Sequence, residues 1–546
     1  MATEHTGKSN SILMQGTILA AAGLMVRFIG LIYRIPMQSI LGNDGMGYYG
    51  SAYELYNITL ILSSYSLPLA VSKLVSARVV QGQHGNARRV FLMAMLFGAV
   101  VGGIATGVCY FGAEWYGDYI GLPGVVLPLR VLAPTIFVFS VMGVIRGYFQ
   151  GYNNMVPTAV SQVIEQIINA GVSVGAAWWL MRKYAGFSDQ RAHGAAGGTA
   201  GTFFGATAGL LSLLVIYWFY RKVFKKLLAV EKECGTNTEE KPVHILKLLV
   251  LTAIPVVVSQ TVYQVSGIVD NTVFNRVLIG KNYDDVLRAS WWGIYSNKYR
   301  LLTNVPVAIA SALGTAIVPG LIAMYVKGQT ETIREKVASA VKFNMIIAFP
   351  CAVGMSVLSG PILQLLWNDH DVVSRNMLRF GSVCILVFAL STLTNGILQG
   401  INRLNIPVIH SAIALVVHVV VLYGLLRFTS LDIYALMICN VLFGFVVCVL
   451  NWISVGKLLD YKQEVRTTFV LPLIAAVFMG AVTRGAFEVM ARFLGDKISC
   501  IAAIIIAVPV YFAALILLRA VTKEELLAMP KGTFLVKVLT KLRLLR

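Results

Sequence analysis

GYFQGYN (147–153) returns later in the chain as GILQGIN (396–402); both copies read G-x-x-Q-G-x-N, with Pro157 and Pro407 shortly after. Two further pairs keep the same order. GYYGSAYEL (47–55) answers GIYSNKYRL (293–301) through a shared G-x-Y-x-x-x-Y-x-L, and PLAVS (68–72) answers PVAIA (306–310). One such match arises by chance, whereas three in one order point to a duplication. The surroundings decide what was duplicated. The chain of 546 residues is 57% hydrophobic and 13% charged, against about 45–50% and about 25% in soluble domains. Apolar stretches of about 20 residues recur along its length, each enough to cross about 30 Å of hydrocarbon. They are too long and too even for barrel strands of about ten alternating residues. The expected fold is an all-α integral membrane protein.

Fourteen spans are predicted, at roughly 11–41, 47–78, 90–112, 122–148, 156–181, 195–220, 244–275, 291–325, 338–361, 376–400, 405–427, 431–455, 468–492 and 498–520. The repeated motifs sit six spans apart. An even offset means that both halves run the same way through the membrane. Two parallel six-helix lobes follow, with a site between them near mid-membrane. The predicted division is 1–220 for the first lobe, 221–243 for a cytoplasmic linker, 244–455 for the second lobe, 456–520 for two further helices and 521–546 for a basic cytoplasmic tail.

The formal net charge of +20 does not suggest nucleic acid. Basic residues gather after the even-numbered spans: Arg88 and Arg89, then Lys222, Lys225 and Lys226, then Lys327 and Arg334, then Lys457 and Lys462, then the tail. The loop GNDGMG (42–47) has none. The positive-inside rule then places both termini in the cytoplasm, with anionic lipid as the partner of the basic loops. Arg182, Lys183 and Arg191 fall on the other side. The start, MATEHTGKSNS, lacks the features of a cleaved signal, so the first span is expected to be retained. Seven scattered cysteines form no C-x-x-C pair, which argues against a disulfide framework or metal site. No Gly-rich phosphate loop, H-E-x-x-H motif or large extramembrane domain is present. These absences point to a transporter rather than an enzyme or ATP-driven pump. The driving force is then an ion gradient, the membrane potential or the substrate gradient.

LMVRFIGLIYR (24–34) places Arg27 and Arg34 inside the first span. Seven residues is close to two helical turns, so both project from one face, about 10 Å apart. A charge at mid-membrane costs at least about 2.5–3.5 kcal/mol. Two readings stand: an arginine paired with a buried acid such as Glu54, or the cationic wall of a water-filled cavity for an anionic ligand. Gly16, Gly23 and Gly30 form a smooth seam beside them. The eighth span supplies Lys298 and Arg300, and Glu54 occupies the place of Arg300 in the repeat. Glu54 and Arg300 either bridge the lobes in one state or form ordinary intramembrane salt bridges. The seventh span carries Gln260, Gln264, Asn271 and Asn275 at helical spacing, with Asp270 alongside. Asp270 and Asn271 are candidate ligands for a coupling cation. Gln162, Glu165, Gln166 and Asn169 of the fifth span read as ties between helices, and His410 and His418 as core polar groups.

VRFIGLIYRIPMQSILGNDGMGYYGSAYELY (26–56), LPLAVSKLVS (67–76) and RGYFQGYNNMVPTAVSQVIEQ (146–166) resemble the polysaccharide-biosynthesis branch of the MOP flippase superfamily. Within it, the chain is similar to stage V sporulation protein B and the MurJ-type lipid II flippases of Gram-positive bacteria. The resemblance implies two lobes that alternate access in the bacterial cell membrane. It implies export of an undecaprenyl-diphosphate-linked sugar precursor for peptidoglycan. Separately, the chain is expected to work as a monomer with no cofactor, an unidentified coupling cation aside. In MurJ-type flippases, arginines of the first helix line the cavity and meet the lipid-linked diphosphate. Arg27, three residues before Gly30, matches the first of them, and Arg34 matches the second with a one-residue slip. The arginine before the proline of the eighth helix is matched by Arg300, or less well by Lys298. The family's second-helix arginine has no counterpart, since NITLILSSYS (57–66) is uncharged. That departure leaves two alternatives open: a flippase for another lipid-linked polysaccharide, or a cation-coupled multidrug antiporter of the same superfamily. The antiporter would be expected to present acids in the first lobe.

Overall fold

A single glycine breaks the first helix. α1 runs Ala2–Leu60, through the first predicted span and into the second, and inside it Gly42 leaves helical geometry, with φ 72° and ψ −175°. Glycine takes such a conformation without a Cβ penalty. The predicted outer loop GNDGMG is therefore a kink, and residues 43–47 are already helical. Arg191 fixes it: Nη1 donates to the Leu41 carbonyl at 2.7 Å, and Nε lies 3.3 Å from the Asp44 carboxylate. The other two basic exceptions to the charge pattern also have local uses. The Arg182 guanidinium sits 4.1 Å over the Trp178 ring, and the Lys183 ammonium 4.9 Å over Trp179.

This computed structural model describes residues 2–233, 239–326, 328–403 and 405–521; Cys234, Lys327 and the predicted basic tail from 522 onward lie outside them. The helices after α1 are α2 Leu67–Val80, α3 His84–Phe111, α4 Ala113–Ile120, α5 Val126–Gly151, α6 Val156–Lys183, α7 Gln190–Glu233, α8 Pro242–Gly280 and α9 Asp285–Gly293. They continue with α10 Arg300–Val326, α11 Thr330–Val357, α12 Ser359–Trp367, α13 Val372–Gly381, α14 Cys384–Gly400, α15 Asn405–Phe428, α16 Ile433–Leu459, α17 Leu471–Leu494 and α18 Asp496–Leu517. Every predicted span falls on one of these or on neighbouring helices joined by a short break. Among the described residues nine helical stretches are long and apolar enough to cross a membrane, or ten with α13 and α14, bent by 43°, taken as one span. The count is below fourteen partly because α1 and α2 merge into one stretch. Large apolar side chains such as Phe28, Ile104, Phe219 and Ile505 face outward. Apolar surface on this scale belongs in lipid.

The helices cluster into two units, 1–294 and 295–546. The N-terminal unit holds two apolar cores, one around Met37, Tyr49 and Leu129, the other around Val71, Tyr148 and Leu213. The C-terminal unit is built on Val337, Ile397 and Val455, with smaller clusters beside α12 and α15. The first unit extends past residue 220 because α8 and α9 pack with it. Gly47 and Gly293, the opening glycines of the two copies of G-x-Y-x-x-x-Y-x-L, lie where α1 crosses α9. A Cβ on Gly47 would collide with the Ala289 backbone, and one on Gly293 with the Asn43 carbonyl.

The duplication is visible inside each unit. Asn153 and Asn402 close their copies of G-x-x-Q-G-x-N in the left-handed region, at φ 56° and φ 60°. The amides around them bond back in one pattern: Asn153 to Gln150 at 2.9 Å and Asn154 to Phe149 at 3.0 Å, then Asn402 to Gln399 at 3.1 Å and Arg403 to Leu398 at 2.9 Å. This is a Schellman helix end twice over. The motif tyrosines pair alike, with Tyr49 and Tyr53 rings 4.6 Å apart and Tyr295 and Tyr299 rings 5.8 Å apart.

Candidate functional site

The site is built up from α1. Between residues 21 and 41 this helix is unbroken, so Arg27 and Arg34 keep their shared face. Arg27 is exposed and Arg34 half-buried. The electrostatic neighbours of Arg34 are Tyr33, Tyr49 and Tyr53. Those phenols form a ladder: the Tyr33 and Tyr49 hydroxyls are 3.3 Å apart, and the Tyr53 hydroxyl bonds Thr202 on α7. Among the described residues no carboxylate lies within ion-pair distance of Arg27 or Arg34. The seam beside them is only partly used, since Gly30 packs toward Gln166 of α6 and Gly23 faces open space.

Glu54 is half-buried, the residue after Tyr53 of the ladder, its carboxylate against Gly267 of α8. The polar stripe of α8 divides along its length. Gln264 is exposed, whereas Asp270, Asn271 and Asn275 are buried. Asn275 Nδ2 donates to Asn271 Oδ1 at 2.6 Å and to its carbonyl at 2.9 Å. Arg288 Nη1 then donates to Asn275 Oδ1 at 3.2 Å, and Nη2 to the Gly121 carbonyl at 2.8 Å. Asn271 is thus the inner end of a chain that secures the turn after α4. Asp270 sits beside that chain.

Glu165 is the acid that sequence reading left among the helix ties. It meets Arg146 of α5: Nη2 donates to Glu165 Oε2 at 2.8 Å, and Nε to Ser161 Oγ at 3.0 Å. Asn169 accepts from Ser173 at 2.9 Å. Arg146 was missed because it stands inside the GYFQGYN neighbourhood, where glycines draw the eye. The signal was an arginine on one span and a glutamate on the next. The histidines are core groups, with His410 Nδ1 2.7 Å from Asn451 Oδ1 and His418 Nδ1 2.8 Å from the Cys439 carbonyl.

In the C-terminal unit, Lys298 lies in a π-helical turn, Ile294–Tyr299. Such turns recur at functional sites. The Lys298 ammonium is buried, donating to Asp369 Oδ2 at 2.6 Å and 3.4 Å from Ser374 Oγ. Burial alone would raise the Asp369 carboxyl. The hydrogen bond and charge of Lys298, with the Asp371 amide, outweigh it and hold the group below the usual carboxylate value. Next in sequence, the Tyr299 hydroxyl is 3.2 Å from the Gly381 carbonyl, at the far end of α13. The Arg300 guanidinium is half-buried, 5.8 Å from the centre of the Tyr295 ring. Lys298 therefore turns to a carboxylate of its own unit, unlike Arg27 and Arg34.

The long apolar helices, with large apolar side chains facing outward, define a multi-pass membrane protein. The chain belongs to the polysaccharide biosynthesis protein family, whose model matches residues 12–325; the MatE model matches 300–424. Lipid II flippase MurJ of Bacillus subtilis (strain 168) is 27% identical over 504 residues, covering 89% of this chain and 90% of that protein. Stage V sporulation protein B of the same organism is 22% identical over 519 residues, covering 95% and 97%. Among solved structures, lipid II flippase MurJ in an inward closed conformation has a TM-score of 0.66 at 14% identity, covering 91% of this chain and 98% of that one. At that identity the likeness speaks for the fold.

Proposed function

We propose that this protein is a flippase that exports an undecaprenyl-diphosphate-linked sugar precursor, lipid II for peptidoglycan, by alternating access. The observation that carries the reading is the pair Arg27 and Arg34, on one face of an apolar helix and without a carboxylate partner among the described residues. A bare ion crossing hydrocarbon faces a desolvation cost of tens of kcal/mol. Two planar guanidinium forks would stand in for the hydration shell of a diphosphate. Arg300 would contribute from the second lobe, with Glu54 as its counter-charge in one state of the cycle. Lys298 would join the cationic set only in a state in which its pair with Asp369 opens. Asp270 and Asn271 are the proposed ligands of a coupling cation. On this reading the protein is a monomer of the bacterial cell membrane with both termini in the cytoplasm.

The similarity to MurJ along most of both chains supports lipid II as the cargo. A different lipid-linked glycan fits the uncharged stretch 57–66, where MurJ-type flippases carry an arginine. The MatE match over 300–424 favours the antiporter reading, against which the unmatched arginines stand. Complementation of a strain depleted of its lipid II flippases separates these. The intact chain should restore growth, Arg27→Lys should be impaired, and Arg27→Ala should fail while still reaching the membrane. Normal growth with both Arg27→Ala and Arg34→Ala would make the arginines structural and sink the mechanism.

A further inference from the structure

The C-terminal unit holds a cationic cavity, of about 710 Å3, between α11, α12, α13 and α17. Arg375, Arg379, Arg484 and His370 line it, with Asp369 and Asp496. One acid is neutralised from outside the cavity and the other is bonded within its wall. Asp369 is held by Lys298, and Asp496 Oδ2 accepts from Gln364 Nε2 at 2.7 Å. Arg484 Nε donates to Glu488 at 2.7 Å. Arg375 and Arg379 have no carboxylate within ion-pair distance among the described residues.

Their placement is built. α13 buries Ser374, Met377, Leu378 and Gly381 and leaves Arg375 and Arg379, one turn apart, exposed toward the cavity. Asp371 caps its first turn, accepting from the Val373 and Ser374 amides at 3.1 and 3.2 Å. Ser356 Oγ of α11 donates to the Arg379 carbonyl at 2.8 Å, fixing the other end. Lys298 and Tyr299 of the repeated motif hold the same short helix from below. The charge pattern also speaks for a use. Counting spans from a cytoplasmic N-terminus puts Arg375, Arg379 and Arg484 toward the side that the positive-inside rule leaves poor in arginine.

We propose that this cavity is a second anion site, formed wholly by the C-terminal unit, that takes a phosphate- or diphosphate-bearing group. Paired guanidinium forks one turn apart suit two neighbouring phosphoryl groups. The source is either the head group of a lipid in the adjoining leaflet or a free anion.

The test uses the full chain carrying Arg27→Ala and Arg34→Ala, so that the arginine pair of the proposed transport site is absent and the failure of that site is read separately. Inorganic pyrophosphate is titrated by calorimetry in detergent, then again in nanodiscs of phosphatidylcholine with or without phosphatidylglycerol. Saturable binding is expected, weakened at least about tenfold by R375Q/R379Q, since hydrogen bonds to charged groups carry that much. R403Q, away from the cavity, should leave it unchanged. Competition by phosphatidylglycerol would assign the site to a lipid head group, and no competition to a free anion; each supports an anion site. Absence of saturable pyrophosphate binding, or equal affinity in R375Q/R379Q and R403Q with both folded by thermal unfolding, would overturn it.

Discussion

Removing the ammonium of Lys298 should destabilise the C-terminal unit more than any surface charge change. Its side chain and that of Asp369 are 4% and 12% exposed, at 2.6 Å. Breaking a buried pair by deleting one partner costs about 3–5 kcal/mol, because the remaining charge is left uncompensated. Asp369 keeps the bond from the Asp371 amide to Oδ1 at 2.9 Å and its hydrogen bond with the Ser374 side chain, so the lower end applies, about 3 kcal/mol. At about 1.4 kcal/mol per tenfold, Lys298→Met should speed irreversible thermal unfolding by up to about two orders of magnitude. The buried cysteines Cys109, Cys384, Cys439, Cys448 and Cys500 make a thiol-reactive dye a direct reporter. Lys298→Met with Asp369→Asn should recover part of the loss, since no lone charge remains. The pH dependence follows from the depressed carboxyl. Its stabilisation is present above the unfolded value of about 3.9 and is lost as pH falls through the lower folded value. The intact chain and Lys298→Met should therefore converge on acidification. A single variant as stable as the intact chain, or a double variant no better than the single, would refute the reasoning.

Gly47→Val and Gly293→Val should each lower the yield of monodisperse protein in size-exclusion chromatography, since the Ala289 and Asn43 backbones fill the space, whereas Gly103→Ala, with nothing nearby, should not. In a cysteine-free background, Gln81→Cys and Ser188→Cys should label with an impermeant reagent from opposite faces of the membrane; labelling from one face would break the span count. Charge reversal at Glu54 or Arg300 should impair transport in the complementation assay, and the double swap should restore part of it; a double swap no better than either single would mean that the two never meet.

The duplication was legible because its motifs are helix-end and helix-crossing chemistry. A left-handed Asn153 or Asn402 and a Cβ-free Gly47 or Gly293 are demanded by local backbone geometry, and such demands leave residue signatures. The first-span arginines were legible because a charge in an apolar run is conspicuous. Partners far apart in sequence were not. Nothing in local pattern ties Lys298 to Asp369 or Arg288 to the carbonyl of Gly121, since each depends on how helices pack. The kink at Gly42 was read as a loop because GNDGMG has turn composition, while Arg191, well over a hundred residues away, holds it as a helix break.

The central claim is that the chain moves a diphosphate-linked glycan between leaflets. The direct measurement is the leaflet distribution of lipid II in cells in which this chain is the sole lipid II flippase and is then depleted, read by an impermeant reagent that modifies outer-leaflet lipid II. Depletion should shift lipid II to the inner leaflet, re-expression of the intact chain should reverse the shift, and Arg27→Ala should not. An unchanged distribution on depletion, or full reversal by Arg27→Ala, would contradict the account.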